Sequence, residues 1–156
     1  MSAAGTPPTL YEWAGGAPAF ERLMEVFYRE VLRDPLLAPL FARMSEDHPH
    51  HVALWFGEVF GGPSAYTEER GGFAVMRAHH VGKGIKPEQR ARWVALMLAA
   101  ADEAGLPDDA EFRAAFASYV EWGSRRAMAN SQPGATLTRR TTTPHWGWGE
   151  TPPGTD

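Results

Sequence analysis

Phe20, Leu23, Met24, Phe27, Tyr28 and Val31 fall at i, i+3, i+4, i+7, i+8 and i+11. That spacing returns to one face only at the 3.6-residue period of a helix, so it predicts an amphipathic helix from about Ala17 to Leu32. The same period recurs in Trp93, Leu96, Met97 and Ala100, on a long helix begun by Pro87. It recurs again in Phe112, Ala115, Phe116, Tyr119 and Val120, on a last helix running to about Asn130. No alternating strand pattern persists beyond a few residues, and no internal repeat is present. The chain is expected to be all-α, with six or seven helices.

Boundary residues divide those helices. Thr9 and Glu12 read as a capping box that starts a short helix, which Gly15-Gly16 stops. Asp34-Pro35 opens another short helix carrying Leu36, Leu37, Leu40 and Phe41. Pro49 fits only the first turn of a helix, so the next one begins near Asp47 or His48 and ends at Gly61-Gly62-Pro63. Residues 64–72 read as an irregular connection. A helix from about Phe73 to Val81 comes next, broken by Gly82 and Gly84, and Asp108 with Glu111 reads as a second capping box. Residues 1–8 form a loose lead, 9–130 the domain, and 131–156 a Pro/Thr/Gly-rich tail, disordered or loosely docked. Trp146 and Trp148 in that tail either pack back on the domain or meet a partner; a flexible tail with a sticky spot is the preferred reading.

Composition removes several function classes. The 156 residues carry a formal net charge of -4, which invites neither nucleic acid nor an anionic membrane. With no cysteine there is no disulfide framework, iron–sulfur cluster or thiol nucleophile. No stretch is long and apolar enough to span a bilayer, and the N-terminus reads as no secretory leader, so a cytoplasmic protein is expected. Aromatic residues reach 12%, six of them Trp, which suits a core that wraps something large and flat.

Nucleophilic and nucleotide motifs are missing: there is no Gly-x-Ser-x-Gly elbow, Walker loop or Rossmann fingerprint. The strong candidates are two histidine groups, His48 with His50 and His51, and His79 with His80. Adjacent histidines after a glycine-rich turn read, by themselves, as a surface pair. Tyr28, the one polar tip in its stripe, reads by periodicity as a core tyrosine. A helical di-iron site would place Glu three residues before His, and no Glu stands there. A haem site needs one imidazole, a large apolar slot and polar groups across from it, all of which this composition can supply. A haem-free, His-rich helical domain that binds metal or a partner is the competing reading.

One ordered set of residues bears on that choice. Tyr11…Gly15-Gly16, Phe27-Tyr28, Asp34-Pro35-Leu36-Leu37, Gly61-Gly62-Pro63-Ser64-Ala65-Tyr66-Thr67-Glu68-Glu69-Arg70-Gly71, Met76-Arg77-x-x-His80 and Trp93 succeed one another across residues 10–130. In that order and spacing the chain resembles the group II truncated haemoglobins. The resemblance implies a two-over-two α-helical sandwich and haem b as cofactor. The family's proximal histidine stands thirteen residues before a Trp and five before an Ile, which implies His80 through Trp93 and Ile85. Arg77 then stands where the family contacts a haem propionate. Met76, Tyr66, Phe41, Val52, Trp55, Ile85, Trp93 and Met97 are the further pocket residues implied.

On the distal side the resemblance turns Tyr28 from a core residue into a ligand donor beside Trp93. Three departures accompany it. Phe41 stands where many relatives have Tyr or His. His48 stands where many have a small residue, with His51 its rival under a one-residue shift of register. Val81-Gly82-Lys83-Gly84 replaces a more apolar run after the proximal histidine. The implied function is binding of dioxygen and other diatomic ligands. Nitric oxide dioxygenation or peroxidase-like activity with an unidentified reductase stays open, as does a homodimer.

Overall fold

The computed structural model describes residues 6–135, 142–149 and 152–153. Each helix starts where local chemistry satisfies its free backbone donors. In α1 (Leu10–Ala14) the Glu12 N–H donates to Thr9 Oγ1 at 3.0 Å and the Thr9 N–H to Glu12 Oε1 at 2.9 Å, the predicted capping box. α2 spans Ala17–Arg33 and buries Phe20, Leu23, Met24, Phe27, Tyr28 and Val31, the whole predicted stripe. Asp34 Oδ1 then accepts from the Leu36 and Leu37 N–H groups, at 2.9 and 3.3 Å. The chain continues as a turn and a short 3-10 helix (Ala38–Phe41) where an α-helix was expected; Pro39 inside it removes a donor that a longer helix needs.

α3 runs His48–Val59, with Pro49 in its first turn as predicted. The expected irregular connection contains α4 (Ala65–Arg70). Buried Glu58 accepts there from the Thr67 N–H at 2.9 Å, so a long-range partner and not local spacing supports the helix start. α5 spans Phe73–Ala78 and ends three residues before the predicted Val81, leaving His79 and His80 in the turn beyond it. α6 is Pro87–Glu103, and α7 is Ala110–Ser131. The cap of α7 is Asp109, whose carboxylate accepts from the Phe112 N–H at 2.7 Å, one residue later than predicted.

Among the described residues there are seven α-helices and no strand. α2 packs on α3 and on α6, and α6 packs on α7. The α3–α7 seam closes the ring of four through Phe56 and Phe60 against Phe116 and Tyr119. Two helix pairs are thus laid one over the other, the expected two-over-two sandwich.

Within residues 142–149, Trp146 lies on the α3–α7 seam and Trp148 lies against α1. The Trp146 N–H donates to the Val59 carbonyl at 2.8 Å, and its ring meets Tyr119 and Trp122 at centroid distances of 5.4 and 5.2 Å. The Trp148 indole N–H donates to the Pro8 carbonyl at 2.9 Å, and its ring meets Trp13 edge-on. Of the two roles open to these indoles, this is packing back on the domain. Burial of large apolar rings outweighs the polar composition that made the segment read as free. Residues 1–5 of the expected lead, and 136–141 of the expected tail, lie outside the described residues.

The turn after α3 is held by close approach to Tyr11. A Cβ on Gly62 would stand 2.6 Å from Tyr11 Cδ1 and 2.8 Å from the Gly57 carbonyl oxygen. Gly62→Ala is expected to lower stability by about 1–3 kcal/mol, as overpacking does. Gly147→Ala, whose Cβ meets nothing within 4 Å, is the silent comparison, both read as thermal midpoints.

Candidate functional site

A cavity of about 550 Å³ opens within the sandwich, inside the range of roughly 300–1,000 Å³ common for cofactor pockets. α2 brings Tyr28 to its wall, α3 brings His48, His51, Val52 and Trp55, and α6 brings Trp93. The turn after α5 brings His79, His80, Lys83 and Ile85, and α7 brings Tyr119, Trp122 and Arg126. Of the residues predicted to hold a cofactor, His80, Arg77, Met76, Tyr66, Phe41, Val52, Trp55, Ile85 and Trp93 all line this cavity. Met97 does not. It lies one helical turn beyond Trp93, is fully buried in the core, and forms no part of the wall.

The polar groups fall into distinct sets. Tyr28 Oη and His48 Nε2 are 3.0 Å apart, and their rings meet edge-on. Burial holds the Tyr28 phenol well above its ordinary range, so it stays protonated. Burial lowers His48 from 6.5 to about 4, and the charges of His79, His51 and Lys83 push the same way. The imidazole is neutral near neutral pH and carries one N–H. If Nε2 holds the proton it donates to the Tyr28 oxygen and leaves the phenol hydrogen free for the cavity. If Nδ1 holds it, Nε2 accepts from the phenol.

His51 also lines the cavity, with His50 beside it at a ring distance of 5.9 Å, but makes no hydrogen bond to Tyr28. His50 turns away, its Nδ1 2.6 Å from Glu21 Oε1. The two rivals of the sequence therefore share the cavity, and His48 is the one in contact with the tyrosine.

His80 is half-buried, and its ring has no hydrogen-bond partner among the described residues. Burial lowers it from 6.5 to about 4, with His79, Lys83 and His48 adding to the shift. A neutral imidazole with a free lone pair is what an iron ligand requires. His79 also borders the cavity but is exposed. The Trp93 indole is fixed edge-on against Phe27 at 5.4 Å and likewise makes no hydrogen bond among the described residues.

Charge completes the wall. Arg43, Arg77, Lys83, Arg90 and Arg126 line the cavity, and among the described residues no Asp or Glu does. Arg90 is held by Glu121 and Ser124 at 3.1 and 3.2 Å, and Arg126 lies over the Trp122 ring. Apart from Arg77 and Lys83, these cations were not singled out in the sequence. Tyr119, Trp122 and Arg126 do share a helical face, but that face looks like any amphipathic one. An apolar cavity with a partnerless imidazole and a cationic border fits a flat cofactor that carries iron at its centre and carboxylates at its edge.

This is the wall of a haem pocket in a truncated globin sandwich. A family model for bacterial-like globins matches residues 9–119, and the chain belongs to that family. A group 1 truncated hemoglobin of Nostoc sp. is 37% identical over 73 residues, which is 46% of this chain and 58% of that protein. The chain thus matches just over half the length of its curated relatives. Among solved structures, the hemoglobin of Chloroflexus aurantiacus is 36% identical with a TM-score of 0.70, over 78% of this chain and 98% of that one. The group II truncated hemoglobin of Bacillus anthracis is 27% identical with a TM-score of 0.72, over 84% and 99%. The group II 2-on-2 hemoglobin of Agrobacterium tumefaciens is 26% identical with a TM-score of 0.67, over 81% and 97%. The group II resemblance and the fold are borne out by these structures, while the Nostoc relative carries the group 1 name. Haem b is the cofactor that the family implies.

The His48 shift has a measurable sign. An unfolded chain takes up a proton near 6.5 that the folded ring refuses until about 4, so stability falls as pH drops through that window. His48→Phe is expected to flatten this acid limb, seen as a smaller fall of the thermal midpoint between those two pH values.

Proposed function

We propose that the protein binds haem b through His80 and uses Tyr28, His48 and Trp93 to retain dioxygen or another diatomic ligand. The observation that carries this reading is the pairing, in one cavity, of a neutral partnerless imidazole with a phenol and an indole able to donate. When bound, the haem supplies an iron that takes a diatomic ligand. Everything else falls to the chain. Arg77, with its neighbouring cations, is suited to the propionates. Phe41, Val52, Trp55, Tyr66, Met76 and Ile85 exclude water and hold the flat ring.

Tyr28 then acts through its partner. A ligand that accepts a hydrogen bond selects the tautomer in which His48 donates to the Tyr28 oxygen, because only that tautomer frees the phenol hydrogen. The Trp93 N–H is a second donor. Hydrogen bonds to a partly anionic acceptor contribute about 1.5–3 kcal/mol, so each lengthens ligand dwell substantially. A carrier or ligand-storage role follows most directly. Nitric oxide dioxygenation or peroxide reduction, with an unidentified reductase, is the redox extension of the same site.

The metal-binding form of the haem-free alternative draws no support, since no three His, Asp or Glu gather to hold a metal ion among the described residues. No helix among them is long and apolar enough to cross a membrane. Residence in the cytoplasm is part of the proposal.

Purified protein is expected to be red, with a Soret band that collapses or shifts in His80→Ala and persists in His79→Ala. A colourless protein that takes up no added haemin would overturn the proposal. Tyr28→Phe is expected to speed dioxygen release by about tenfold or more, the loss of one such donor. An unchanged off-rate returns Tyr28 to the core.

A further inference from the structure

The cavity wall carries a second set of groups that ligand retention does not use. Tyr119 and Trp122 both line the cavity from α7. Their rings lie 6.2 Å apart, and Trp122 meets Trp146 of the docked segment at 5.2 Å. Trp146 is not part of the cavity wall. It is half-buried, flanked by exposed His145 and Gly147, and pinned by its N–H to the Val59 carbonyl at 2.8 Å. Two indoles in contact thus connect the cavity to the outer surface.

Indole is among the most readily oxidised side chains, and rings in van der Waals contact exchange single electrons rapidly. Tyr119 is a poorer carrier. Its hydroxyl accepts the Trp55 indole N–H at 2.7 Å, and a phenol must lose its proton when oxidised, which burial opposes. An indole can give up an electron before its proton. The Arg126 guanidinium, 5.8 Å from the Trp122 ring centroid, disfavours positive charge on Trp122. An electron hole on Trp122 therefore moves on to Trp146, over which no cation lies among the described residues.

We propose that Trp122 and Trp146 form an electron path from the surface to the haem cavity, and that Trp146 is an oxidation site for electron-rich aromatic donors such as phenols and arylamines too bulky to enter the cavity. The oxidant is a hydroperoxide reduced in the cavity. Cleavage of its O–O bond takes two electrons and two protons and gives an alcohol and water. Two phenol donors each release one electron through Trp146 and one proton to solvent, leaving as phenoxyl radicals. The inference rests on the haem reading and assigns the surface substrate class for its redox extension.

The test is to load the full chain with haemin, add one equivalent of hydrogen peroxide with a nitroso spin trap, and map adducts by peptide mass spectrometry. Adducts or added oxygen are expected on Trp146. Trp122→Phe is expected to reduce labelling at Trp146 at least fivefold. Trp146→Phe is expected to leave the Soret band and the rate of the first reaction with peroxide, measured without dye, unchanged while lowering oxidation of a bulky phenolic dye, and the peroxide consumption coupled to it, at least fivefold. Trp146→Tyr, which restores an oxidisable ring, should recover part of that loss. Labelling confined to Tyr28, Tyr66 or Trp93, or labelling of Trp146 that survives Trp122→Phe, overturns the path. A protein that takes up no haemin overturns the haem reading as well, so the two failures are distinguishable.

Discussion

The hydrogen bond from the Trp55 indole N–H to the Tyr119 hydroxyl, 2.7 Å long and buried, ties α3 to α7 across the wall of the cavity. A domain of this size gains stability by filling its interior, so a space of about 550 Å³ persists only if its walls resist collapse. Large rings wedged edge to face do that, and a polar tip on each must find a partner once buried. Trp55 and Tyr119 satisfy each other, and their rings pack against Tyr66, Phe56 and Phe60. The docked Trp146 covers the same seam from outside. Wall, seam and tail are one aromatic assembly around an interior shaped for a flat guest.

Electrostatics point to the same guest. The chain as a whole carries a net charge of -4, yet the cavity is lined by five cations and, among the described residues, no carboxylate. Such segregation sets up repulsion among like charges that a counter-charge must relieve. Part of it is contained locally, with Arg90 held by Glu121, Arg126 laid over Trp122 and Arg77 over Phe73. The remainder suits a ligand with negative charge at its rim and an apolar face, a description met by an iron porphyrin with propionates.

Most of the fold was legible from the spacing of apolar residues and from Pro, Gly and capping residues, because these act within one turn of the chain. α2 and α6, with the starts of α1 and α3, fall where local rules put them. The features that escaped depended on distant partners. α4 is supported by Glu58, nine residues before Thr67, and the tail is held by rings on α7 and α1 and by the Val59 carbonyl of α3. His79 and His80 were inseparable by composition. The resemblance, through Trp93 and Ile85, assigned the role to His80, and the structure brings both to the cavity with only His80 half-buried. Met97 shows the opposite error: it comes one turn after Trp93 and shares its stripe, but a stripe around a cavity has members that face the cavity and members that face the core.

Phe41 and His48 bear on how one pocket can exchange a donor at one wall for a donor at another. The resemblance places a polar ring at Phe41 in many relatives and a small residue at His48. Here the Phe41 ring touches both Tyr28 and His48, at centroid distances of 5.6 and 6.1 Å. It cannot donate, but it packs the two polar rings against each other and helps keep the pair dry. The depressed basicity of His48 follows from that dryness. A charged imidazole would always donate to Tyr28, whereas a neutral one can either donate or accept. Replacing a donor by phenylalanine therefore does more than remove a hydrogen bond. It keeps the histidine neutral, and neutrality is what allows the Tyr28–His48 pair to turn its hydrogen toward a ligand or keep it between themselves.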